Sequence, residues 1–298
     1  MDTWADEQHP HGAAQNFSRA FAIGVALNLA YVLAQVGFGI FGHSLALLAD
    51  AGHNLGDVLG LMLAWGASYL VRRPATARRT YGWRRTSIMA ALLNAIFLLV
   101  IVGAITWEAL RRFAHQEIVD PNIVIGVAAV GIVINGATAW LFMSGRKTDL
   151  NIRGAFTHMA ADAAISAGVV IAGVTIRFTG WLWLDPATSL VINLVIVIGT
   201  WGLLRESLNL ALDAVPADVD LLEVRKYLSG LPDVSAVHDL HVWAMSTTQV
   251  ALTAHLVMPA AAGTDAFRRN VCQHLQGAFG IEHATIQIEQ NAELCSLA

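Results

Sequence analysis

Two pairs of ionisable residues share one spacing inside long apolar stretches of the chain. His53 and Asp57 form a His-x-x-x-Asp pair, and His158 and Asp162 repeat it. Residues four apart lie on the same face of a helix, so each pair presents an imidazole beside a carboxylate. Two such helices supply the four nitrogen and oxygen ligands that a tetrahedral site for Zn²⁺ or a similar first-row divalent ion uses. The alternative is that the pairs are polar contacts between helices.

The composition places the surrounding elements in a lipid bilayer. Hydrophobic residues make up 56% of the 298 residues and charged residues 13%, whereas soluble domains carry about 25% charged residues. These values exclude a disordered chain, a disulfide scaffold and an ordinary soluble enzyme. Crossing a bilayer takes about 20 apolar residues per helix. The predicted spans cover about residues 19–41, 43–71, 86–110, 120–144, 154–178 and 185–209.

The positions of the basic residues predict how these six helices cross the membrane. Six arginines follow the second span and three basic residues follow the fourth, whereas the alternate loops hold three in total. Basic loops face the cytoplasm, so both termini are expected there. Ionisable residues at membrane depth are costly and are therefore expected to be functional. Asp50, one turn before His53, either orients the imidazole of His53 or is a polar packing residue.

The last part of the chain has a different pattern. After a polar tail at 1–17 and a membrane domain at 18–212, residues 213–298 hold four Lys/Arg and ten Asp/Glu, a balance of −6. This acidic balance favours cations over nucleic acid as partners. A helix from about Asp218 to Gly230, strands at 234–243 and 249–258, a helix at 264–279 and a strand at 284–289 predict a small α+β domain (αββαβ) with an antiparallel sheet.

The alternation of these strands points to a second cluster. His255 and Glu289 lie opposite the apolar residues of their strands, and His238 lies on the neighbouring strand. The three side chains could form a cytoplasmic metal site, or they could simply be solvated. His9 and His11 could complete such a site, or could belong only to the polar chain end.

Several motifs together resemble the cation diffusion facilitator family of divalent metal/proton antiporters. They are SLALLADAGHNLGD, GAFTHMAAD, YGWRR, VHDLHVWAMS, ALTAHLVMP and HATIQIE. The resemblance covers about residues 18–290. It implies six transmembrane helices and a ferredoxin-like cytoplasmic domain, working as a homodimer in the cell (inner) membrane.

The resemblance also implies site residues and a metal. His53, Asp57, His158 and Asp162 fall on the transport-site positions, in the form found in the zinc-type branch. His238, His255 and Glu289 match the first ligands of the zinc-type cytoplasmic site. Co²⁺, Ni²⁺ and Cd²⁺ remain open, because all can use two imidazoles and two carboxylates. Gln35 stands where many zinc-type members carry glutamate, and the loop after the second span lacks the ligands of a further site.

The expected function is export of a divalent metal cation, most simply Zn²⁺, in exchange for protons by alternating access. Two other functions compete with it. An intramembrane metalloenzyme would need an open coordination position and a general base, but all four residues are needed as ligands. A membrane-anchored metal sensor would have no reason to hold Asp57 and Asp162 in lipid.

Overall fold

The computed structural model describes residues 19–143, 150–259 and 264–291, so His9 and His11 lie outside the described residues. Long helices occupy the first two thirds of this part of the chain. They are α1 (Arg19–Phe41), α2 (Leu45–Val71), α3 (Thr86–Ala114), α4 (Pro121–Phe142), α5 (Leu150–Thr179) and α6 (Leu184–Ala211). Within the described residues, α2 to α6 are long and apolar enough to cross a membrane, and α1 contributes a shorter apolar stretch, Asn28–Phe41.

The described residues form two compact units. The first comprises the chain up to Val58 together with Val100–Ile196, and the second comprises Leu59–Leu99 together with the chain from Val197 onward. In the first unit, α4 packs along α5 and also contacts α1. Gly131 permits this close approach, because a side chain at that position would collide with the Tyr31 hydroxyl and the Ser166 oxygen.

A buried polar network holds the start of α2 in the first unit. The Asp185 carboxylate accepts hydrogen bonds from the Ser44 hydroxyl at 2.5 Å and from the Leu45 backbone N–H at 2.6 Å. The first N–H groups of a helix have no intrahelical partner, and a carboxylate there also stabilises the helix dipole. Arg112 at the end of α3 donates to the His43 carbonyl. These hydrogen bonds connect the start of α6 and the end of α3 to the start of α2.

The small elements of the second unit begin and end at recognisable caps. They are α7 (Leu221–Ser229), β1 (Ala236–Ala244), β2 (Val250–Val257), α8 (Asp265–Phe279) and β3 (Ile281–Glu289). Asp220 caps α7 by accepting from two backbone N–H groups, so the expected cap at Asp218 is two residues too early. Thr264 caps α8 as expected, and Gly280 ends it with a φ of 66°, in the left-handed region that glycine adopts most easily.

The sheet has the order β1-β2-β3, and one of its two pairings differs from the sequence prediction. β1 and β2 are antiparallel as expected. β2 and β3 are parallel, so the prediction of a wholly antiparallel sheet is wrong. The reason is the connection: α8 carries the chain back across the sheet, and a helical crossover returns the next strand in the same direction. The core on one face includes Leu228, Leu252, Leu256 and Leu275.

Candidate metal centres

The four ionisable residues of the apolar helices lie together in the first unit. The His53 Nε2 atom on α2 lies 3.0 Å from the Asp162 Oδ1 atom on α5. The His158 Nε2 atom on α5 lies 3.3 Å from the Asp57 Oδ2 atom on α2 and 3.6 Å from the Asp162 Oδ2 atom. Each imidazole therefore faces the carboxylate of the opposite helix, and Asp162 lies between the two imidazoles.

Three of these four residues have ligand atoms close enough to share one ion, and His158 lies beside Asp57 and Asp162. His53, Asp57 and Asp162 each offer a ligand atom, and the three atoms lie within 4.8 Å of one another. The rings of His53 and His158 meet edge to face with centroids 6.1 Å apart. The set consists of two imidazoles and two carboxylates, which is a donor set that Zn²⁺ accepts in tetrahedral geometry.

Exposure increases across the cluster. The Asp162 side chain is 2% exposed and that of His53 is 20% exposed. The Asp57 side chain is 35% exposed and that of His158 is 43% exposed. The pair formed by Asp57 and His158 is therefore the accessible side of the cluster, and Asp162 is its closed side.

Asp50 belongs to a neighbouring polar network instead of this cluster. Its Oδ2 atom accepts from Gln35 Nε2 at 2.7 Å and from Ser166 Oγ at 3.3 Å, and Asn54 donates to Gln35 Oε1 at 3.0 Å. Among the described hydrogen bonds of Asp50, none goes to His53. The contacts therefore favour the packing role for Asp50, since they join α1, α2 and α5.

The second cluster lies on the sheet of the second unit. His238 and His255 are opposite each other in the β1–β2 pairing, and Glu289 ends β3. The His238 Nε2 atom lies 2.8 Å from Glu289 Oε2, and the His255 Nδ1 atom lies 3.0 Å from Glu289 Oε1. The ligand atoms of all three residues lie within 4.8 Å of one another.

This cluster is more enclosed than its outward-facing positions suggested. The His255 side chain is 12% exposed and that of Glu289 is 6% exposed, because the polar side chains cover one another. The His255 Nδ1 atom is buried, and its one described polar neighbour is the Glu289 carboxylate at 3.0 Å, so an ion bound there would contact both groups. Burial raises the Glu289 pKa, but hydrogen bonds from His238 and Gln287 outweigh it and hold that pKa below its usual value.

Two residues beside this cluster were missed by the sequence analysis. The Asp239 Oδ2 atom lies 3.3 Å from His255 Nε2, and its Oδ1 atom lies 2.9 Å from His241 Nε2. The hydrogen bond from His241 lowers the pKa of Asp239, which keeps it ionised. Asp239 has a φ of 48° and sits where the β1–β2 register shifts between His238 and His241. The only signal in the sequence was the motif His-Asp-x-His at 238–241.

Two family models match the chain. Residues 21–210 match the family model of the cation efflux transmembrane domain, and residues 216–291 match that of the cation efflux protein cytoplasmic domain. The chain is 36% identical over 282 residues to the metal cation efflux system protein CzcD of Cupriavidus metallidurans, covering 94% of this chain and 89% of that protein.

Two further relatives are matched over almost their whole length. The zinc transporter ZitB of Escherichia coli is 36% identical over 281 residues, covering 94% of this chain and 90% of ZitB. A cadmium, cobalt and zinc/H(+)-K(+) antiporter of Bacillus subtilis is 31% identical over 289 residues, covering 95% of this chain and 92% of that protein. The family and these relatives are transporters and not enzymes. The chain is an integral membrane protein of the cation diffusion facilitator family and a metal cation efflux transporter.

Proposed function

We propose that this protein exports Zn²⁺ in exchange for protons, and that the ion binds between His53, Asp57, His158 and Asp162 during transport. The observation that carries the proposal is the cross-helix arrangement of these residues. The imidazole of His53 lies 3.0 Å from the Asp162 carboxylate, and that of His158 lies 3.3 Å from the Asp57 carboxylate, each on the opposite helix. Removing one member of such a pair would leave an unpaired charge in the membrane, which is energetically costly. Each residue therefore stabilises its partner.

Proton exchange follows from the chemistry of the ligands. A histidine nitrogen must lose its proton before it binds a metal ion, so binding the ion releases protons. In the cluster, the Nε2 atoms of His53 and His158 each face a carboxylate oxygen. A proton held between nitrogen and oxygen occupies the position that the metal ion needs. Histidine is the side chain best suited to take up and release such a proton under physiological conditions.

The exposure pattern supports access from the cytoplasm. With both termini in the cytoplasm, α2 runs towards the cytoplasm and α5 runs away from it. Asp57 and His158 then lie on the cytoplasmic side of His53 and Asp162. They are also the more exposed pair, at 35% and 43%, which supports uptake of the ion from the cytoplasmic side. Release requires a second state in which Asp162 becomes the accessible residue.

The remaining features of the transporter complete the proposal. α1 serves as a sixth span, because it extends over 23 residues from Arg19 to Phe41. The protein lies in the inner membrane as a homodimer, which fits the match to the family's cytoplasmic domain. His238, His255 and Glu289 bind a second Zn²⁺, which neutralises part of the acidic balance of residues 213–298 and brings the subunits together.

The metal assignment rests on the donor set and on the relatives. ZitB is named as a zinc transporter, and the Bacillus subtilis relative is named for cadmium, cobalt and zinc. Two imidazoles with two carboxylates favour Zn²⁺ but also accept Co²⁺, Ni²⁺ and Cd²⁺. We propose Zn²⁺ as the main substrate and these ions as weaker ones.

The test is flux into proteoliposomes across an imposed pH gradient. We expect Zn²⁺ uptake in the direction opposite to proton flow, and loss of this flux in His53→Ala and in Asp162→Ala. The matched control is His115→Ala, since His115 lies just after α3 and its side chain is exposed. Substantial flux by Asp162→Ala would overturn the site assignment. Flux that ignores the pH gradient would overturn the antiport mechanism, and binding without any flux would favour a metal sensor.

A further inference from the structure

We propose that the loop between α2 and α3 forms a binding site for the phosphate group of an anionic phospholipid. This loop, residues 72–85, carries six arginines and no acidic residue. The bias of basic residues towards cytoplasmic loops requires only that their charge lies near the membrane surface, and no defined binding site. The structure adds a more specific feature, because part of this charge lines a defined cavity.

The cavity has a volume of about 490 Å³, within the range of about 300–1,000 Å³ that is usual for small-molecule sites. Four of the six arginines line it, and the other two, Arg72 and Arg73, do not. Its remaining walls include the apolar and aromatic side chains of Met89, Trp243 and Met245. Guanidinium groups beside apolar and aromatic side chains match a lipid, which joins a phosphate to hydrocarbon.

The arginines around the cavity differ in what they contact. Arg85 forms an ion pair with Asp213, and the Arg79 guanidinium lies 3.6 Å from the centroid of the Trp83 ring. Among the described contacts, Arg78 and Arg84 form no ion pair. These two guanidinium groups are therefore free to bind an anion, and guanidinium binds phosphate oxygens with two parallel hydrogen bonds.

The position of the loop selects a lipid over other anions. α2 ends at Val71 and α3 begins at Thr86, so the loop lies where two membrane helices leave the hydrocarbon. Lipid headgroups are the anions always present at that depth, and basic pockets beside cytoplasmic helix ends bind them. Nearby, the Thr247 backbone N–H donates to Ser87 Oγ at 3.1 Å. This hydrogen bond holds the turn after β1 beside the cavity. A bound lipid would contact Trp243, which lies on the same strand as His238.

The test uses the purified full-length protein in detergent with three probes: short-chain phosphatidylglycerol, phosphatidylcholine and inorganic phosphate. Lipid retained per protein is measured by native mass spectrometry during a titration. The variant is Arg78→Gln with Arg84→Gln. Its control is Arg72→Gln with Arg73→Gln, which removes the same charge from the same loop but outside the cavity.

We expect phosphatidylglycerol to bind about 30-fold more weakly to the cavity variant, since each arginine near a headgroup contributes about fivefold. The control variant should bind it nearly as well as the unaltered protein. Equal losses in the two double variants would overturn the proposal in favour of general surface charge. The lipid assignment would be overturned if inorganic phosphate saturated the site and displaced the lipid. It would also be overturned if phosphatidylcholine bound as tightly as phosphatidylglycerol. Arg78→Gln alone, at an exposed unpaired position, gives the same comparison with less risk to folding.

Discussion

The Nε2 atom of His53 lies 3.0 Å from the Oδ1 atom of Asp162, although the two residues are 109 positions apart in the chain. This contact joins α2 to α5 at the most buried carboxylate of the cluster, which is 2% exposed. A carboxylate so enclosed needs a cation or a proton beside it. Under the proposed mechanism, Asp162 would have a metal ion beside it in one state and a proton in the other, so transport and proton movement would depend on the same side chain.

The number of Zn²⁺ ions bound per chain should reveal the two clusters separately. Among the described residues, two groups of ligand atoms lie close enough to hold an ion, so we expect the full-length protein to bind two Zn²⁺ ions per chain. Asp162→Ala and His238→Ala should each bind one, and the double variant none, as measured by elemental analysis after removal of free metal. His283→Ala is the control, because this exposed histidine lies on the same strand as Glu289 but outside the cluster. Two ions retained in either single variant would contradict that site.

Helix packing around Gly131 should tolerate no side chain. Gly131→Ala would push a methyl group into Tyr31 and Ser166, and overpacking of this kind costs about 1–3 kcal/mol. We expect a lower melting temperature in detergent. Gly136 lies on the same helix with nothing within 4 Å of an added Cβ atom. Gly136→Ala should therefore be neutral or slightly stabilising, since alanine favours a helix. Equal effects of the two substitutions would rule out the close approach at Gly131.

The Asp185 network should stabilise the membrane domain. Asp185→Ala removes the acceptor of the Leu45 N–H and of the Ser44 hydroxyl, both buried. Buried donors left without a partner cost about 1–3 kcal/mol each, so we expect a loss of about 2–6 kcal/mol in chemical unfolding. Glu108→Ala removes a carboxylate that is 28% exposed and pairs with Arg111 and Arg112. This control should change stability by less than about 1 kcal/mol, and a similar loss in both variants would contradict the role of Asp185.

Asp239 should tighten the cytoplasmic site without binding the ion itself. Its carboxylate holds the Nε2 side of His255, which leaves Nδ1 facing Glu289. Supporting groups of this kind contribute about 10–100-fold to metal affinity. We expect Asp239→Ala to lower Zn²⁺ affinity by such a factor, measured by chelator competition in the Asp162→Ala background so that only this site binds. Asp239→Asn keeps an acceptor and the left-handed backbone, and should lose less. An unchanged affinity in Asp239→Ala would remove this residue from the site.

The helices and their ligands were predictable because both depend on local spacing. Long apolar runs must form helices in lipid, since the backbone has no other hydrogen-bond partner there. The His-x-x-x-Asp spacing placed His53 with Asp57 and His158 with Asp162 on single helix faces. Strand alternation likewise separated His255 and Glu289 from the apolar side chains of their strands.

Contacts between segments far apart in the chain could not be predicted from local spacing. The pairing of β2 with β3 depends on how α8 crosses the sheet, and Asp220 caps α7 although Asp218 is chemically equivalent. Asp239 reaches His255 because the strand register shifts beside it. The choice for Asp50 between His53 and the pair Gln35 and Ser166 also depends on which helices lie next to it.

The sequence alone therefore determined the membrane helices, the family and the identity of the candidate ligands, because composition and short-range periodicity carry that information. Only the tertiary structure decided that imidazoles pair with carboxylates of the opposite helix and that Asp185 fastens the start of α2. It also decided that four arginines surround one cavity. These features depend on how helices far apart in the chain pack, and packing is set by the combined shape and polarity of many side chains at once.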